Sequence, residues 1–359
     1  MNIHLSLRWF YNTPGQSGEM SEELFALLKA IDESGSLRAA ARQCQLSYRH
    51  CWGLLQKWQQ RIGQPLVLLE RGRGAVLTRP GQILLWAEQR IAARLEPELA
   101  SLASETSAQL QRTLDDSRSD NNLRIFASHG LAIALLREMA GAAPNLDMQF
   151  HGSLDSLRLW KKGRCDLAGF HLPEGELGRA LLPRLRRYLN PETDVLIYAV
   201  RRRQGLITAA GNPFTIKNLA DLIEKPVRFI NRQQNSGTRT TFDLFLQKAQ
   251  IDAQKIQGYH NEEFTHLAVA ALIASNAADC GFGIEEAARQ FHLHFIPFNW
   301  ESYWFALHKD RLHTAPLADF LSLLRSHEFA QRVAELSGYE SARAGNLVRL
   351  DQELETLLV

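Results

Sequence analysis

The sequence predicts an α+β head of three helices and a hairpin, then one long linker helix, then a two-lobed α/β domain. Three observations predict this. Apolar residues recur at helical spacing in three short N-terminal segments that close on an alternating hairpin. One long helical stretch follows, and beyond it strand-like and helix-like runs alternate almost to the end. The boundaries fall at residues 1–81, 82–121 and 122–359. A chain of 359 residues has room for two or three domains.

In the head, Leu24, Leu27, Leu28 and Ile31 mark the first helix, which stops at Ser34-Gly35. Ser36 offers an N-cap for a short Ala-rich helix, Leu37 to Cys44. Leu46 and Ser47 make the turn, and Ser47 caps a longer helix from Tyr48 to about Ile62, ended by Gly63 and Pro65. Leu66–Leu69, a tip from Glu70 to Gly74, and Ala75–Leu77 read as a β-hairpin. Helix, helix, turn, helix and hairpin in that order make a winged helix-turn-helix. Ala39, Ala40 and Ala41 are small where two helices must cross closely, and Trp52, Leu55 and Trp58 read as core.

The linker helix runs from Gln82 to about Asp116. Ile91, Leu95, Leu99 and Leu102, continued by Leu110 and Leu114, form a narrow apolar stripe, and Pro97 should bend the rod. Such a stripe asks for a partner helix, so a homodimer or tetramer forms through it; packing back on its own domain is the alternative. Asp115 to Asn122 reads as a polar linker.

After Asn122 come strands at Leu123–Ala127, Leu146–His151, Asp166–His171, Val195–Val200, Val227–Asn231, Cys280–Ile284, His294–Pro297 and Tyr303–His308. Helices at Leu131–Ala140, Leu154–Lys161, Thr240–Gln250 and Thr265–Ala274 alternate with them, which implies a largely parallel sheet. Lys162–Gly169 and Asn276–Gly283 echo each other, each leading a helix through a small-residue turn into a strand. Two α/β lobes of this kind make a type II periplasmic-binding-protein-like plan.

Charge is unevenly placed. Between Ser36 and Arg79 eight basic residues (Arg38, Arg42, Arg49, Lys57, Arg61, Arg71, Arg73, Arg79) face the lone acid Glu70, a balance of +7 in a chain of +2, so the rest is at −5. A basic module on a mildly acidic protein is the footprint of phosphate binding. Residues 1–15 lack the pattern of a secretory leader, and no apolar run is long enough to span a bilayer. Cys44, Cys51, Cys165 and Cys280 lack C-x-x-C spacing, as buried thiols of a reducing compartment do. The expected location is cytoplasmic, without membrane association.

In a helix-turn-helix the start of the second helix meets base edges. That places Ser47, Tyr48, Arg49 and His50 against DNA, with Arg49 suited to guanine N7 and O6 and Ser47 or Tyr48 to phosphate. Arg71 and Arg73 on the wing tip suit the adjacent minor groove or its phosphates. Ser36 and Arg38 complete the DNA-binding set. Gly35–Ala41, Leu46–Trp52, Gly63–Val67 and Gly72–Thr78 resemble the DNA-binding domain of molybdate-responsive ModE regulators, whose wider kin are the LysR-type regulators. The resemblance covers about residues 20 to 90 and implies homodimers on roughly palindromic operators. The C-terminal part departs from both families, with no small molybdate modules and no ordinary LysR effector pattern.

The ligand candidates sit where strands give way to helices. Asn231–Arg239 carries Asn235, Ser236, Gly237 and Thr238, a turn that opens a helix and presents free N–H groups and hydroxyls to an anion. Arg232 and Arg239 would add charge-assisted hydrogen bonds. Ser128-His129-Gly130 and Gly152-Ser153 form two further junctions, and Thr265-His266 a fourth. In a two-lobed protein these converge on the cleft. His171 reads either as a cleft residue or as a satisfied structural histidine.

Phe126–His129, Gly152–Leu154, Asp166–Leu172, Asn231–Arg239 and Thr265–Ala270 resemble the binding-protein-like domain fused to ModE-type or MoeA-type proteins, and more distantly molybdate- and tungstate-binding proteins. The resemblance implies a small-anion effector, with molybdate or tungstate as candidates, and control of molybdoenzyme genes. No cofactor and no metal are expected. No H-E-x-x-H, P-loop or nucleophile-base set is present, and Ser128 and His129 are adjacent in the wrong geometry for activation, so an enzyme is not expected. The expected partners are double-stranded operator DNA, a small-molecule effector, a second copy of the chain and RNA polymerase. The rival reading is a DNA-binding protein whose C-terminal domain holds a larger, cofactor-like ligand or serves only in oligomerisation.

Overall fold

The computed structural model describes residues 3–13, 15–70, 74–114, 122–140, 146–234 and 236–350. Residues Ser6–Ala93 form one compact unit, and the chain from Arg94 onward forms most of another.

The first unit opens on an antiparallel hairpin, β1 (Trp9–Thr13) and β2 (Gln16–Met20). Sequence patterning does not reveal it, because β2 is polar up to its last residue and has no period-2 signal. Its aromatics reach the core: Trp9 lies 5.4 Å from Phe25 and Tyr11 5.1 Å from Trp58, ring centre to ring centre. Then come α1 (Glu22–Ser34), α2 (Leu37–Gln43), α3 (Tyr48–Ile62), the hairpin β3 (Val67–Glu70) and β4 (Gly74–Leu77), and the start of α4 (Arg79–Leu114).

The caps are those the sequence announces. Ser36 Oγ accepts the Ala39 N–H (3.4 Å) and Ser47 Oγ the His50 N–H (3.1 Å), while Gly35 and Gly63 end α1 and α3 in the left-handed conformation. Leu24, Leu27, Leu28, Ile31, Ala40, Ala41, Leu55 and Trp58 are buried together, each large side chain contributing roughly 1.5–3 kcal/mol. Trp52 departs from expectation and is 47% exposed, because its place on α3 faces away from α1 and α2. The wing root is pinned by the Ala75 N–H donating to Gly35 O (2.8 Å). A Cβ on Gly74 would stand 2.2 Å from that same carbonyl, so only glycine fits there.

α4 carries Pro97 within continuous helix. Along it Ile83, Ile91 and Leu102 are exposed. Residues 115–121 of the expected linker lie outside the described residues.

The second unit holds β5 (Leu123–Ser128), α5 (Leu131–Ala140), β6 (Leu146–His151), α6 (Ser153–Lys161), β7 (Leu167–Pro173), α7 (Gly175–Leu185), β8 (Asp194–Thr208) and α8 (Asp221–Glu224). It continues through β9 (Phe229–Arg232), α9 (Gly237–Lys248), β10 (Glu262–Glu263), α10 (His266–Ala274), β11 (Cys280–Ile284), α11 (Glu285–Gln290) and β12 (His294–His308). α12 (Ala315–Leu324), α13 (His327–Ala334), β13 (Tyr339–Glu340) and β14 (Leu347–Arg349) close it.

The sheet order is β10-β9-β11-β8-β12-β7-β5-β6, with β13 and β14 also on β8. The sheet is mixed, which corrects the expectation of a largely parallel one. Parallel pairs occupy each end (β5 with β6 and β7, β9 with β10 and β11), but β8 and β12 run antiparallel to each other and to their neighbours. Each is a 15-residue strand, where the sequence signals only shorter pieces. They pass from one lobe to the other: β12 pairs with β7 through Glu301–Ala306, and β8 with β11 through Gln204–Thr208.

The internal echo has a structural counterpart. Asp166 accepts the Arg124 backbone N–H (2.9 Å) and its guanidinium (3.2 Å), and Asp279 does the same for Arg228 (2.8 and 2.9 Å). One aspartate in each lobe thus staples the strand that leads to the cleft. Cys51, Cys165 and Cys280 are buried free thiols and Cys44 is half-buried. Among the described residues no helix is long and apolar enough to cross a membrane.

Candidate functional site

On the head, Arg38, Ser47, Tyr48, Arg49 and His50 are exposed and Ser36 is half-buried. Tyr48 (51% exposed) and Trp52 stand one helical turn apart on α3. Ser47 Oγ accepts from the helix start, which fixes the hydroxyl at the point where α3 begins. His50 Nε2 lies 3.1 Å from Glu23 of α1, so its ring is held to one side of the helix start. Arg71 and Arg73 lie outside the described residues. The exposed N-terminal turn of α3 therefore offers cationic, aromatic and hydroxyl groups, which is a mixture suited to phosphates and base edges.

In the second unit the strand ends and helix starts meet in one buried cluster. Ser128 ends β5, and its Oγ lies 2.9 Å from His171 Nδ1 on β7 and 3.5 Å from the Tyr303 hydroxyl on β12. Tyr303 donates to the Ser128 carbonyl (3.0 Å) and stands edge-on to the His171 ring. Ser153, opening α6, accepts the His171 backbone N–H (3.3 Å). His129 packs edge-on against Phe150. A Cβ placed on Gly130 would come within 3.4 Å of both Arg202 Nη1 and His171 Nε2, so the start of α5 looks directly onto these two groups.

The other lobe supplies Arg232 at the end of β9. Its guanidinium donates to Gln233 Oε1 (3.0 Å) and to the Phe264 carbonyl (2.8 Å). Ser236 caps α9 by accepting the Arg239 N–H (3.1 Å), and Thr238 lies in the first turn, 3.4 Å from His266 Nε2 and 3.5 Å from Gln204 Nε2. Thr265 caps α10 by accepting the Ala268 N–H (3.1 Å). A Cβ on Gly237 would lie 3.9 Å from Ser153 Oγ, so the two hydroxyl-bearing turns face each other across the lobes. Arg239 is held in a network with Asp243, Glu262 and the Tyr259 ring instead of turning to these groups. Asn235 lies outside the described residues.

Electrostatics makes the cluster one site. Burial, then Arg232, Arg202 and Arg137, holds His129 down to about 4. Burial and the same pair Arg202 and Arg232 keep His171 and His266 well below the ordinary imidazole value. Arg232 itself is lowered to about 9, first by burial and then by Arg202, and still carries its charge at neutral pH. Three neutral imidazoles, hydroxyls and two guanidiniums thus gather in one buried cluster, with the Glu301 carboxylate beside Arg202. Among the described residues no group of three or more His, Cys, Asp and Glu is placed to hold a metal ion.

Ser128, His129, Ser153, His171, Arg232, Gly237 and Thr238 of the sequence-based set are brought together. Arg202, Gln204, Glu301 and Tyr303 were not expected. They sit in the middle of β8 and β12, where the sequence shows only a polar run, Arg201–Gln204, that resembles a solvated loop. Burial alternates along it (Arg202 and Gln204 inside, Arg203 exposed), a period of two that the uniformly polar sequence Arg201–Gln204 does not display.

A model of a PBP superfamily domain matches residues 136–325. A second model, of bacterial regulatory helix-turn-helix proteins of the lysR family, matches residues 23–82. The uncharacterized protein YvgK of Bacillus subtilis (strain 168) is 30% identical over 247 residues, 68% of this chain and 79% of that protein. The molybdenum-pterin-binding protein MopB of Rhodobacter capsulatus is 38% identical over 86 residues, 23% of this chain and 32% of that protein. Among solved structures, a mutant of Corynebacterium glutamicum OxyR matches at 13% identity and a TM-score of 0.42, covering 88% of this chain and 93% of that one.

Proposed function

The chain belongs to the PBP superfamily and joins that domain to a LysR-type helix-turn-helix; from this premise we propose that its effector is a small anion held between the two lobes. The protein is a ligand-responsive DNA-binding transcription regulator, not an enzyme. In this reading its partners are DNA, met by the helix-turn-helix, a small-molecule effector, held by the PBP-like domain, and further copies of itself.

One observation carries the anion reading: two buried guanidiniums, Arg202 and Arg232, stand with Ser128, Ser153 and Thr238 among three imidazoles that burial first, and then these arginines, hold neutral. An anion between Ser153 and the Gly237–Thr238 turn would accept N–H and O–H donors from both lobes. Bridging the lobes favours the closed domain, and that population shift changes how paired chains present their two α3 helices. Arg49, with Ser36, Arg38, Ser47, Tyr48 and His50 around it, reads the operator in this account, and dimer or tetramer contact runs through the exposed apolar positions of α4. The protein works in the cytoplasm, with RNA polymerase as its downstream partner.

The sequence resemblance to ModE-type and molybdate- and tungstate-binding proteins nominates molybdate and tungstate as effectors and molybdoenzyme genes as targets, and similarity to a molybdenum-pterin-binding protein over 23% of this chain supports the molybdenum part. That similarity also prompts the second reading, a larger pterin-like ligand. Thermal melting of the full chain with molybdate, tungstate, sulfate, phosphate, formate, nitrate and a pterin tests both. A ligand at a hundred times its Kd stabilises by about 2.7 kcal/mol. A shift with an anion supports the proposal, a shift with the pterin alone supports the second reading, and no shift with any probe favours a domain used only for assembly.

A further inference from the structure

Arg202 on β8 and Glu301 on β12 are direct cross-strand partners. They are 3% and 1% exposed, and both line one small pocket with Gly130, His171, Tyr303 and Tyr339. Glu301 Oε2 accepts twice from the same guanidinium, from Nε (2.9 Å) and from Nη2 (2.7 Å). Three polar atoms in the walls of that pocket are left without a hydrogen-bond partner: Arg202 Nη1, a donor, Glu301 Oε1, an acceptor, and the Tyr339 hydroxyl, which lies against Arg202.

Buried polar atoms are rarely left unpaired, and each such group costs free energy until something satisfies it. Here a donor and an acceptor stand in the walls of one cavity, and Gly130 keeps the space before Arg202 Nη1 free of a side chain. We propose that the effector is an oxyanion that carries its own proton, of the hydrogen phosphate type, accepting from Arg202 Nη1 and donating to Glu301 Oε1. A fully deprotonated oxyanion such as sulfate, molybdate or tungstate satisfies the arginine but turns a lone pair toward the carboxylate. Burial pushes the proton affinity of Glu301 up, and the two guanidinium contacts on Oε2 act against it. The inference rests on the anion reading and narrows it, against the oxyanions that similarity alone nominates.

The test is calorimetric titration of the full-length protein at pH 7.5 with phosphate, arsenate, sulfate and molybdate, repeated on Glu301→Gln. The wild-type protein binds phosphate and arsenate about a hundredfold tighter than sulfate or molybdate, because a site built for a donor rejects the analogue without one. Glu301→Gln can present an N–H where the lone pair was, and it loses about tenfold or more of that preference. The wild-type ranking needs no variant, so poor folding of Glu301→Gln does not remove the test. Equal affinity for all four, a preference for sulfate or molybdate, or an unchanged ranking in a folded Glu301→Gln overturns the inference and leaves the anion effector standing. No binding of any of the four overturns both.

Discussion

Ser128 Oγ and His171 Nδ1 lie 2.9 Å apart, although 43 residues separate them in the chain. The contact joins the end of β5 to the neighbouring parallel strand β7, so the serine fixes which edge of the imidazole turns to the cleft. Ser128→Ala frees that ring. The expected result is anion binding weakened about three- to tenfold for the lost hydrogen bond, with stability lowered by about 1 kcal/mol. Titration calorimetry and chemical denaturation measure the two separately, and DNA binding without effector stays unchanged.

Acid should weaken the fold through the same imidazoles. His129 is held at about 4 in the folded protein by burial and by Arg232, Arg202 and Arg137, against about 6.5 in an unfolded chain. A depressed folded value means that the unfolded chain takes the proton first. Stability is therefore complete above about pH 6.5 and falls as pH drops toward 4, by up to roughly 1.4 kcal/mol per pH unit for this histidine alone. His171 and His266 shift in the same direction and steepen the loss. Melting temperatures at pH 7.5 and 5.0 give the measurement. A bound anion raises the imidazole affinities for protons and narrows the difference.

DNA recognition should separate from effector binding in single variants. Arg49 is exposed on the first turn of α3, and Arg49→Ala should cost about 1–3 kcal/mol of discrimination at its base position. Anisotropy titrations on duplexes selected from a random pool, at one fixed salt concentration, read the loss, while anion binding is retained. Trp52→Ala also weakens DNA binding without unfolding the head, since the indole lies outside the core that Trp58 fills. Normal binding by Arg49→Ala would move the recognition surface away from this turn.

The head was legible because its signals are local. A serine before each of α2 and α3, a glycine after α1 and α3, and a basic run with one acid are all read within a few residues. The β1–β2 hairpin was not legible, since its stability comes from Trp9 and Tyr11 meeting Phe25 and Trp58 from distant parts of the unit. The same contrast divides the candidate effector site. Ser128, Ser153 and Thr238 stand at strand-to-helix junctions that the sequence marks, whereas Arg202 and Glu301 become a pair only through the register of two long strands 99 residues apart. Arg239 was read as a ligand contact from its place after the Ser-Gly-Thr turn, but Asp243, one turn farther along α9, takes its guanidinium.

Gly130 offers the most direct test of the anion site. A methyl group there would lie 3.4 Å from Arg202 Nη1 and from His171 Nε2, close enough to fill the space before them without meeting backbone. The backbone there is not in the left-handed region, so alanine brings no conformational strain. The decisive measurement is calorimetric titration of full-length wild-type and Gly130→Ala protein with the anion that most raises the wild-type melting temperature. The wild-type chain should bind saturably, and Gly130→Ala about a hundredfold more weakly with a stability within about 1 kcal/mol of wild type. Unchanged affinity in Gly130→Ala would place the effector elsewhere and contradict the account.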